Sequence, residues 1–500
     1  MILFVVYLLL ILLWIRYTRL WGLLADDKIS GTTLMLLFAL KALAVPAFYF
    51  AYQKLYGGIR EFDAGKFFQD ALVIQHYAWK EPGRYLALLF GMQDDAPGSY
   101  DYVNCLVSTQ NWDNGTIKDF LYNDNRIVIR VHSVLNFIAF DSYFVHALLN
   151  CLMSFIGIFF LYKSLRTYFS GKELPVLLVL CFFPSLWFYT GAVLKEGISV
   201  FLLGSSCYVL RKLVSNPSQW KPYVLLLVLL YLDLLLKPYV LFFGSVCFAL
   251  LFTLDKKSSD LVKISIFAGT LLLFIVLLNT LSIQVKHRNL VEAALKHQRL
   301  FAGVAKGGLF LEQGNRYVRV DYDSSLVRKV EGWDSLYRLQ PTTRYMYWVN
   351  RRNDDTLYGK VSDDSATVYK LVFKIPPSKS NLPSLDVRSG PVSAILHSWY
   401  FSMFYPLFVN AQGAMQFLGS FENTLLIIAW IILLIGMIRT KASRFMPLVL
   451  CVFCLSVCIL ISVTAPNSGA LFRYRSPVVV FVFLSALYVL PLPRSKNEGK

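Results

Sequence analysis

A long polar loop opens, just after an apolar segment that ends near Tyr56, with the stretch Phe62-Asp63-Ala64-Gly65-Lys66-Phe67-Phe68-Gln69-Asp70-Ala71. Asp63 and Asp70 are seven residues apart, and a helix turning about 100° per residue returns them to within about 20° of one face. Phe67 and Phe68 give the stretch an apolar side that suits a bilayer surface. The pattern predicts an interfacial helix with two carboxylates just outside a membrane, and solvated acids without a special role are the alternative.

The composition around this stretch is that of a membrane protein. Of 500 residues, 56% are hydrophobic and only 16% are charged, whereas about 25% are charged in an average soluble protein. Many separate runs approach the ~20 apolar residues that cross ~30 Å of hydrocarbon. The sequence predicts an all-α polytopic membrane protein with about 11 transmembrane helices and an extracytoplasmic α+β insertion. The predicted spans are 2–15, 33–55, 143–162, 174–190, 193–211, 222–236, 238–254, 263–283, 421–438, 445–464 and 472–490.

The loops between the spans predict the orientation, because cytoplasmic loops carry the Lys and Arg excess. Clusters of Lys and Arg occur at 163–172, 211–221, 256–263 and 439–444, which fall on one side if the spans alternate. Much of the net charge of +18 is therefore explained by topology, and no nucleic-acid partner is expected. The loops 56–142 and 284–420 are placed outside the cytoplasm.

Three regions follow from the change in composition along the chain. Residues 1–283 form an N-terminal transmembrane region that includes the loop 56–142, residues 284–395 form a soluble α+β domain, and residues 396–500 form an interfacial segment and the last transmembrane helices. Within the soluble domain we expect a helix over 289–304. We also expect a hairpin that pairs strand 358–361 with strand 367–373.

The cysteine and histidine residues give no sign of a metal or disulfide framework. Seven of the eight Cys residues lie in apolar runs, and Cys105 alone lies in a polar loop. Cys451 and Cys454 form a lone CxxC inside a hydrophobic segment, which is typical of small core residues. None of the six His residues has ligand spacing with a Cys or carboxylate. We assign no metal site and no cofactor, and assistance by a divalent metal stays open.

Basic residues on the side that should be poor in them are the most informative charges. They are Lys195, Lys237, Arg473 and Arg475, each at the outer end of a predicted span, with Glu196 beside the first. Charge at that depth is costly unless it is paired or meets a ligand. A phosphate or pyrophosphate head group offers several acceptor oxygens to such residues. Snorkelling or pairing with an acid is the alternative for each one, but the four together favour a shared anion site.

Two short motifs carry a resemblance to a known family. Asp63 in an early external loop, and the late Phe472-Arg473-Tyr474-Arg475-Ser476-Pro477 at the start of the final span, resemble bacterial members of the GT-C superfamily of polyprenyl-phosphate-sugar-dependent glycosyltransferases. The resemblance implies that Asp63 is the catalytic base. Asp70, on the same predicted helix face, is a second candidate by its position beside the basic residues. The resemblance also implies that Arg473 or Arg475 holds the lipid phosphate and that transfer inverts the sugar.

By this resemblance the protein would lie in the bacterial inner membrane among its lipids. It would pass a sugar from a polyprenyl-linked donor to an extracytoplasmic glycan, lipid or protein acceptor. Segment 182–196 also resembles O-antigen-type polymerases, which join repeat units linked to lipid pyrophosphate. Two other classes stay open. A lipid-linked sugar transporter would carry polar residues across the midplane, where Lys41 and Asp233 are the candidates. A non-enzymatic assembly factor would bind a partner through the 284–395 domain.

Overall fold

The computed structural model gives the architecture of most of the chain. It describes residues 1–60, 62–92, 99–112, 124–254, 258–286, 289–292, 308–313, 316–320, 327–332, 335–340, 344–349, 357–360, 368–375, 391–411, 413–440, 442–465 and 467–491. The predicted helix 289–304 lies mostly outside these residues.

Helices make up most of the described chain, and every predicted span coincides with helix. In chain order they are α1 Ile2–Thr18, α2 Gly31–Ala42, α3 Ala44–Tyr56, α4 Asp63–Lys80, α5 Pro82–Phe90, α6 Tyr100–Asn104, α7 Asn125–Ala139, α8 Tyr143–Leu165, α9 Glu173–Phe182, α10 Pro184–Tyr189, α11 Lys195–Ser215, α12 Lys221–Leu236, α13 Pro238–Thr253, α14 Asp260–Lys286, α15 Pro391–Phe404, α16 Ala414–Arg439, α17 Phe445–Thr464 and α18 Ser468–Val489.

Seven helices of the described chain are long and apolar enough to cross a membrane, which differs from the predicted count of about 11. They are Gly31–Leu55, Tyr143–Tyr168, Lys195–Ser215, Asp260–Gln284, Ala414–Arg439, Phe445–Thr464 and Ser468–Val489. The other four predicted spans are shorter helices, namely α1, α9, α12 and α13. Proline explains two of these short lengths, because Pro184 separates α9 from α10 and Pro238 separates α12 from α13.

The packing of α8 against α11 forms the centre of the helical region. A Cβ atom on Gly204 would collide with the backbone oxygen of Gly157, so the two backbones are in direct contact. Such close approach of small residues is a common way for membrane helices to associate. Asn150 of α8 donates to the backbone oxygen of Leu194 over 3.2 Å and so fixes the turn that precedes α11.

The basic loops meet at one end of the helical region. Arg166 pairs with Asp26 at 3.0 Å and with Asp27 at 2.9 Å. Lys172 donates to the backbone oxygen of Leu490 over 2.6 Å, so this end also holds the end of α18. Nη2 of Arg211 donates to Oγ1 of Thr167 over 3.4 Å, and Oγ of Ser443 donates to Oδ1 of Asp260 over 2.8 Å. Among the described residues, the predicted basic loops therefore make contact as two pairs, 163–172 with 211–221 and 256–263 with 439–444.

The loop 56–142 is mostly helical where it is described, and the stretch that holds Asp63 and Asp70 forms helix α4, which begins at Asp63. The two aromatic residues of its first turns do not face lipid, however. Phe67 and Phe68 are buried in the core that α4 shares with α7 and α8. The loop is packed into the helical region, and α4 is therefore held in place by protein contacts rather than by a bilayer surface.

A seven-stranded antiparallel sheet occupies the described part of the 284–395 region. Its strands are β1 Gly308–Gln313, β2 Arg316–Val320, β3 Val327–Lys329, β4 Leu336–Leu339, β5 Arg344–Val349, β6 Leu357–Lys360 and β7 Val368–Ile375, in the order β3-β4-β7-β1-β2-β5-β6. The predicted hairpin is wrong: β6 pairs with β5 at one edge, while β7 lies between β4 and β1. A local turn pattern indicates a reversal of the chain but not which strand becomes the partner.

Candidate functional site

An ion pair joins the first loop to the last helix. Arg473 lies in the second turn of α18, and its Nη1 is 2.7 Å from Oδ2 of Asp63, the first residue of α4. The Asp63 side chain is 45% exposed and that of Arg473 is 14% exposed. Burial raises the pKa of Asp63, but the charges of Arg473, Lys195 and Lys66 and the Arg473 hydrogen bond outweigh this and hold it below its ordinary value. Asp63 is therefore a carboxylate at neutral pH.

Glu196 connects this pair to a second cation. Its Oε1 lies 3.3 Å from Nζ of Lys237 and 3.6 Å from Nε of Arg473. Glu196 is in the first turn of α11, where the helix dipole stabilises a carboxylate. Pro238 ends α12 at Leu236, and this leaves Lys237 extended between two helices with its ammonium directed to Glu196. The Oε2 atom of Glu196 has no hydrogen-bond partner among the described residues.

Lys195 is held by a carboxylate that the sequence analysis missed. Its Nζ lies 2.6 Å from Oδ1 of Asp124, the residue before α7, and 5.7 Å from the ring centroid of Phe67. The Lys195 side chain is 7% exposed and that of Asp124 is 36% exposed. Asp124 stands at the N-cap position of α7, but its side chain makes no capping hydrogen bond, so an N-cap pattern in the sequence would not have indicated its contact with Lys195.

Tyr474 was also missed, although it stands between two residues of the predicted motif. Its ring centroid lies 4.9 Å from Cζ of Arg473 and 5.7 Å from Nζ of Lys237, and Nη2 of Arg473 donates to its hydroxyl over 3.4 Å. An aromatic face at these distances attracts both cations. Tyr474 therefore helps to position the two basic side chains.

We refer to six of these residues as the charge cluster. They are the cations Lys195, Lys237 and Arg473 and the carboxylates Asp63, Asp124 and Glu196. They come from α4, α11, α18 and the ends of α7 and α13, so the fold alone brings them together. Chemically, the cluster combines donors suited to an anion with a carboxylate that is open to solvent.

Asp70 lies outside the charge cluster. Its Oδ1 accepts from the backbone nitrogen of Gln110 over 2.8 Å, and its Oδ2 accepts from that of Asn111 over 2.7 Å. Burial raises the pKa of Asp70, and these two backbone donors offset part of that increase. Its contacts show that Asp70 ties the loop before residue 112 to α4.

Arg475 also lies apart from the charge cluster, in a fully buried network. Its Nη2 donates to Oε1 of Glu422 over 2.9 Å and to Oδ1 of Asn423 over 2.6 Å, and its Nη1 donates to the backbone oxygen of Ser402. Two residues along a helix correspond to about 200° of rotation. Arg473 and Arg475 consequently point to opposite sides of α18, and Arg475 holds α15 and α16 against it.

Of the two residues considered for a transport pathway, Lys41 is buried apart from the cluster, whereas Asp233 is buried one turn before Lys237, whose backbone nitrogen donates to the Asp233 backbone oxygen over 2.7 Å. Lys41 of α2 donates to Oγ1 of Thr190 over 2.7 Å. Asp233 of α12 has an Oδ1 atom without a hydrogen-bond partner within the described part of the chain. Over that same part, no three His, Cys, Asp or Glu side chains are grouped so that they could hold a metal ion.

Comparisons with known proteins add no relative to this description. A scan against protein-family models, a search of curated proteins and a search of solved structures each found no match.

Proposed function

We propose that this membrane protein is a glycosyltransferase whose donor is a sugar linked to a lipid phosphate. The observation that carries the proposal is the contact of Asp63 with Arg473 inside a cluster that also holds Lys195 and Lys237. These four residues are remote in sequence and share one chemistry, which is the binding of an anion beside a base.

The depth of the cluster supports a lipid-linked ligand. Lys195 begins one candidate span, and Arg473 lies in the second turn of another. Residues at such positions lie near the boundary between water and hydrocarbon, where lipid head groups are found. By the positive-inside rule the basic loops that meet at the opposite end are cytoplasmic. The cluster would then face the outside of the inner membrane of a bacterium.

The chemistry follows from the roles of the residues. Asp63 accepts the proton of an acceptor hydroxyl while the oxygen of that hydroxyl forms the new bond to the anomeric carbon of the sugar. The bond from that carbon to the phosphate oxygen breaks, and the electron pair leaves with the lipid phosphate. Lys195, Lys237 and Arg473 stabilise the negative charge that develops there. Attack from the face opposite the leaving group inverts the sugar.

A non-enzymatic assembly factor is the second candidate, and one observation favours it. Each of the three cations already contacts a carboxylate, as expected of a purely structural charge network. In that case the cluster would stabilise the fold and no donor would be consumed.

The test uses purified protein in lipid nanodiscs with radiolabelled polyprenyl-phosphate sugars and, separately, a lipid-pyrophosphate oligosaccharide. Asp63→Asn removes the base, and we expect turnover to fall by about 10²- to 10⁴-fold. Asp27→Asn is the matched control, because it also removes an aspartate from an arginine pair but at the opposite end. Wild-type turnover in Asp63→Asn would overturn the proposed mechanism. Folded protein that consumes neither donor would favour the assembly factor.

A further inference from the structure

Exposure to solvent varies systematically across the charge cluster. The carboxylates Asp63 and Asp124 are 45% and 36% exposed, whereas the cations that they contact are 14% and 7% exposed. Lys237 and Glu196 are 2% and 0% exposed. The cations therefore form the inner layer together with one carboxylate, and the other two carboxylates form the outer layer.

From this arrangement we infer that Asp63 and Asp124 are displaceable counter-ions: the phosphodiester of the donor replaces Asp63 on Arg473, and the phosphate monoester left after transfer also replaces Asp124 on Lys195. Release of Asp63 from Arg473 then makes it available to the acceptor hydroxyl. This inference rests on the proposed function. The inference goes beyond the proposed function in two ways. Asp124 becomes a residue that sets the affinity for the anion, and the phosphate must bind before the acceptor hydroxyl is deprotonated.

The charges of the inner layer define the ligand. Three cations against the single carboxylate of Glu196 leave two positive charges, which Asp63 and Asp124 compensate in the ligand-free protein. A phosphate group with two negative charges can replace both carboxylates without leaving any cation unpaired. The donor, a phosphodiester with one negative charge, can replace only one of them, whereas the lipid phosphate that transfer releases carries two negative charges and can replace both.

The contacts of Arg473 allow such an exchange. Only Nη1 contacts Asp63, while Nε faces Glu196 and Nη2 donates to the hydroxyl of Tyr474. Arg473 therefore keeps two of its neighbours when Nη1 turns from a carboxylate to a phosphate oxygen. Asp63 and Asp124 lie at the first residue of α4 and directly before α7, so each can swing away without disturbing a helix interior.

Binding measured without turnover tests the inference. Farnesyl phosphate, a monoester that carries about two negative charges at pH 8, is titrated calorimetrically into nanodiscs, with inorganic phosphate as a second arm. We expect Asp124→Asn to bind farnesyl phosphate about fivefold more tightly than wild type, because one competing carboxylate is gone. Lys195→Gln should bind it more weakly, and Asp27→Asn should bind it as wild type does.

Asp63→Asn gives a second signature, because it should bind farnesyl phosphate more tightly while losing turnover. A role in structure alone would not move binding and turnover in opposite directions. Tighter binding of farnesyl phosphate but not of inorganic phosphate would identify a lipid head group, and equal tightening of both would identify a free phosphate.

Unchanged or weaker binding in both folded Asn variants would overturn the inference, and the transferase proposal would stand if donor turnover persists. Tighter binding in the variants with no turnover of any donor by wild type would retain the exchange of counter-ions and overturn the transferase.

Discussion

The contact of Glu196 with two cations allows a quantitative prediction about stability. Glu196 is 0% exposed, and its Oε1 lies within 3.6 Å of both Lys237 and Arg473. Glu196→Gln keeps the shape of the side chain but removes its charge. Arg473 retains Asp63, whereas Lys237 has no other carboxylate within 4 Å among the described residues. The substitution therefore leaves a buried ammonium without a carboxylate in direct contact.

The expected cost follows from that geometry. Removing one partner of a buried ion pair destabilises a protein by about 3–5 kcal/mol. The Gln amide oxygen can still accept one hydrogen bond from Lys237, so we expect a loss near ~3 kcal/mol. The double variant Glu196→Gln/Lys237→Met removes the stranded charge as well. It should return to within about 1 kcal/mol of wild type, because an apolar side chain of similar volume costs little in place of a buried ion.

Equilibrium unfolding in mixed detergent micelles measures these free energies for wild type, both single variants and the double variant. The coupling energy of the cycle should reach at least ~2 kcal/mol. Asp27→Asn is the control for an exposed aspartate, and we expect no measurable change in its free energy of unfolding. A loss of less than ~1 kcal/mol in Glu196→Gln, or a double variant equal to the sum of the singles, would refute the idea that Glu196 neutralises a buried lysine.

Three further predictions concern packing, the first loop and pH. Gly204→Ala should prevent α8 and α11 from packing, because its Cβ would collide with the backbone oxygen of Gly157. Recovery of folded protein in size-exclusion chromatography checks this, and a wild-type yield would contradict it. Asp70→Asn should turn an amide NH2 group toward one of the two backbone N–H groups that now donate to the carboxylate, and this should destabilise the loop by about 1–3 kcal/mol. Faster hydrogen exchange in residues 108–112 would show the loss, and unchanged exchange would show that Asp70 does not hold the loop. Because the pKa of Asp63 is lowered, its carboxylate stays ionised at pH values below its ordinary pKa of 3.8. The contribution of the ionised Asp63 to activity and to folding is therefore complete above pH 3.8 and is lost only as the pH falls through the lowered pKa. In Arg473→Gln the acidic limb of kcat/KM should therefore move to higher pH, and an unmoved limb would show that Arg473 does not control Asp63.

The level of the candidate site along the membrane could be predicted from sequence. Lys195, Lys237 and Arg473 each stand at the outer end of an apolar run, so alternating spans alone put them at one depth. Their lateral contacts could not be predicted this way, because neighbouring positions within the bundle depend on packing such as that of α8 against α11. The pairing of Asp63 with Arg473 over 410 residues is of this second kind.

Other features were missed or misjudged for identifiable reasons. Arg475 was grouped with Arg473 by the motif, although about 200° of helix rotation separates the two side chains. Asp124 follows residues without a strong pattern, and its contact with Lys195 is a long-range one. The sheet likewise combines a local feature that the sequence indicated with a long-range one that it did not. The chain reversal before β7 could be predicted, but the pairing of β7 with β1 and β4 could not.

Complete pairing of the cluster does not by itself argue against anion binding. Three cations without counter-ions would be costly at the edge of a membrane, so a ligand-free anion site at that depth needs carboxylates to be stable. What separates a binding site from a structural network is which carboxylates can leave. In a structural network the acids are expected to be as buried as their partners, as Glu422 is beside Arg475. In the charge cluster, Asp63 and Asp124 are each more exposed than the cation they contact, whereas Glu196 is not. The same chain thus contains ion pairs with a buried acid and ion pairs with an exposed acid, and by the proposed exchange of counter-ions we expect Arg473 and Lys195 to be the cations that a ligand reaches.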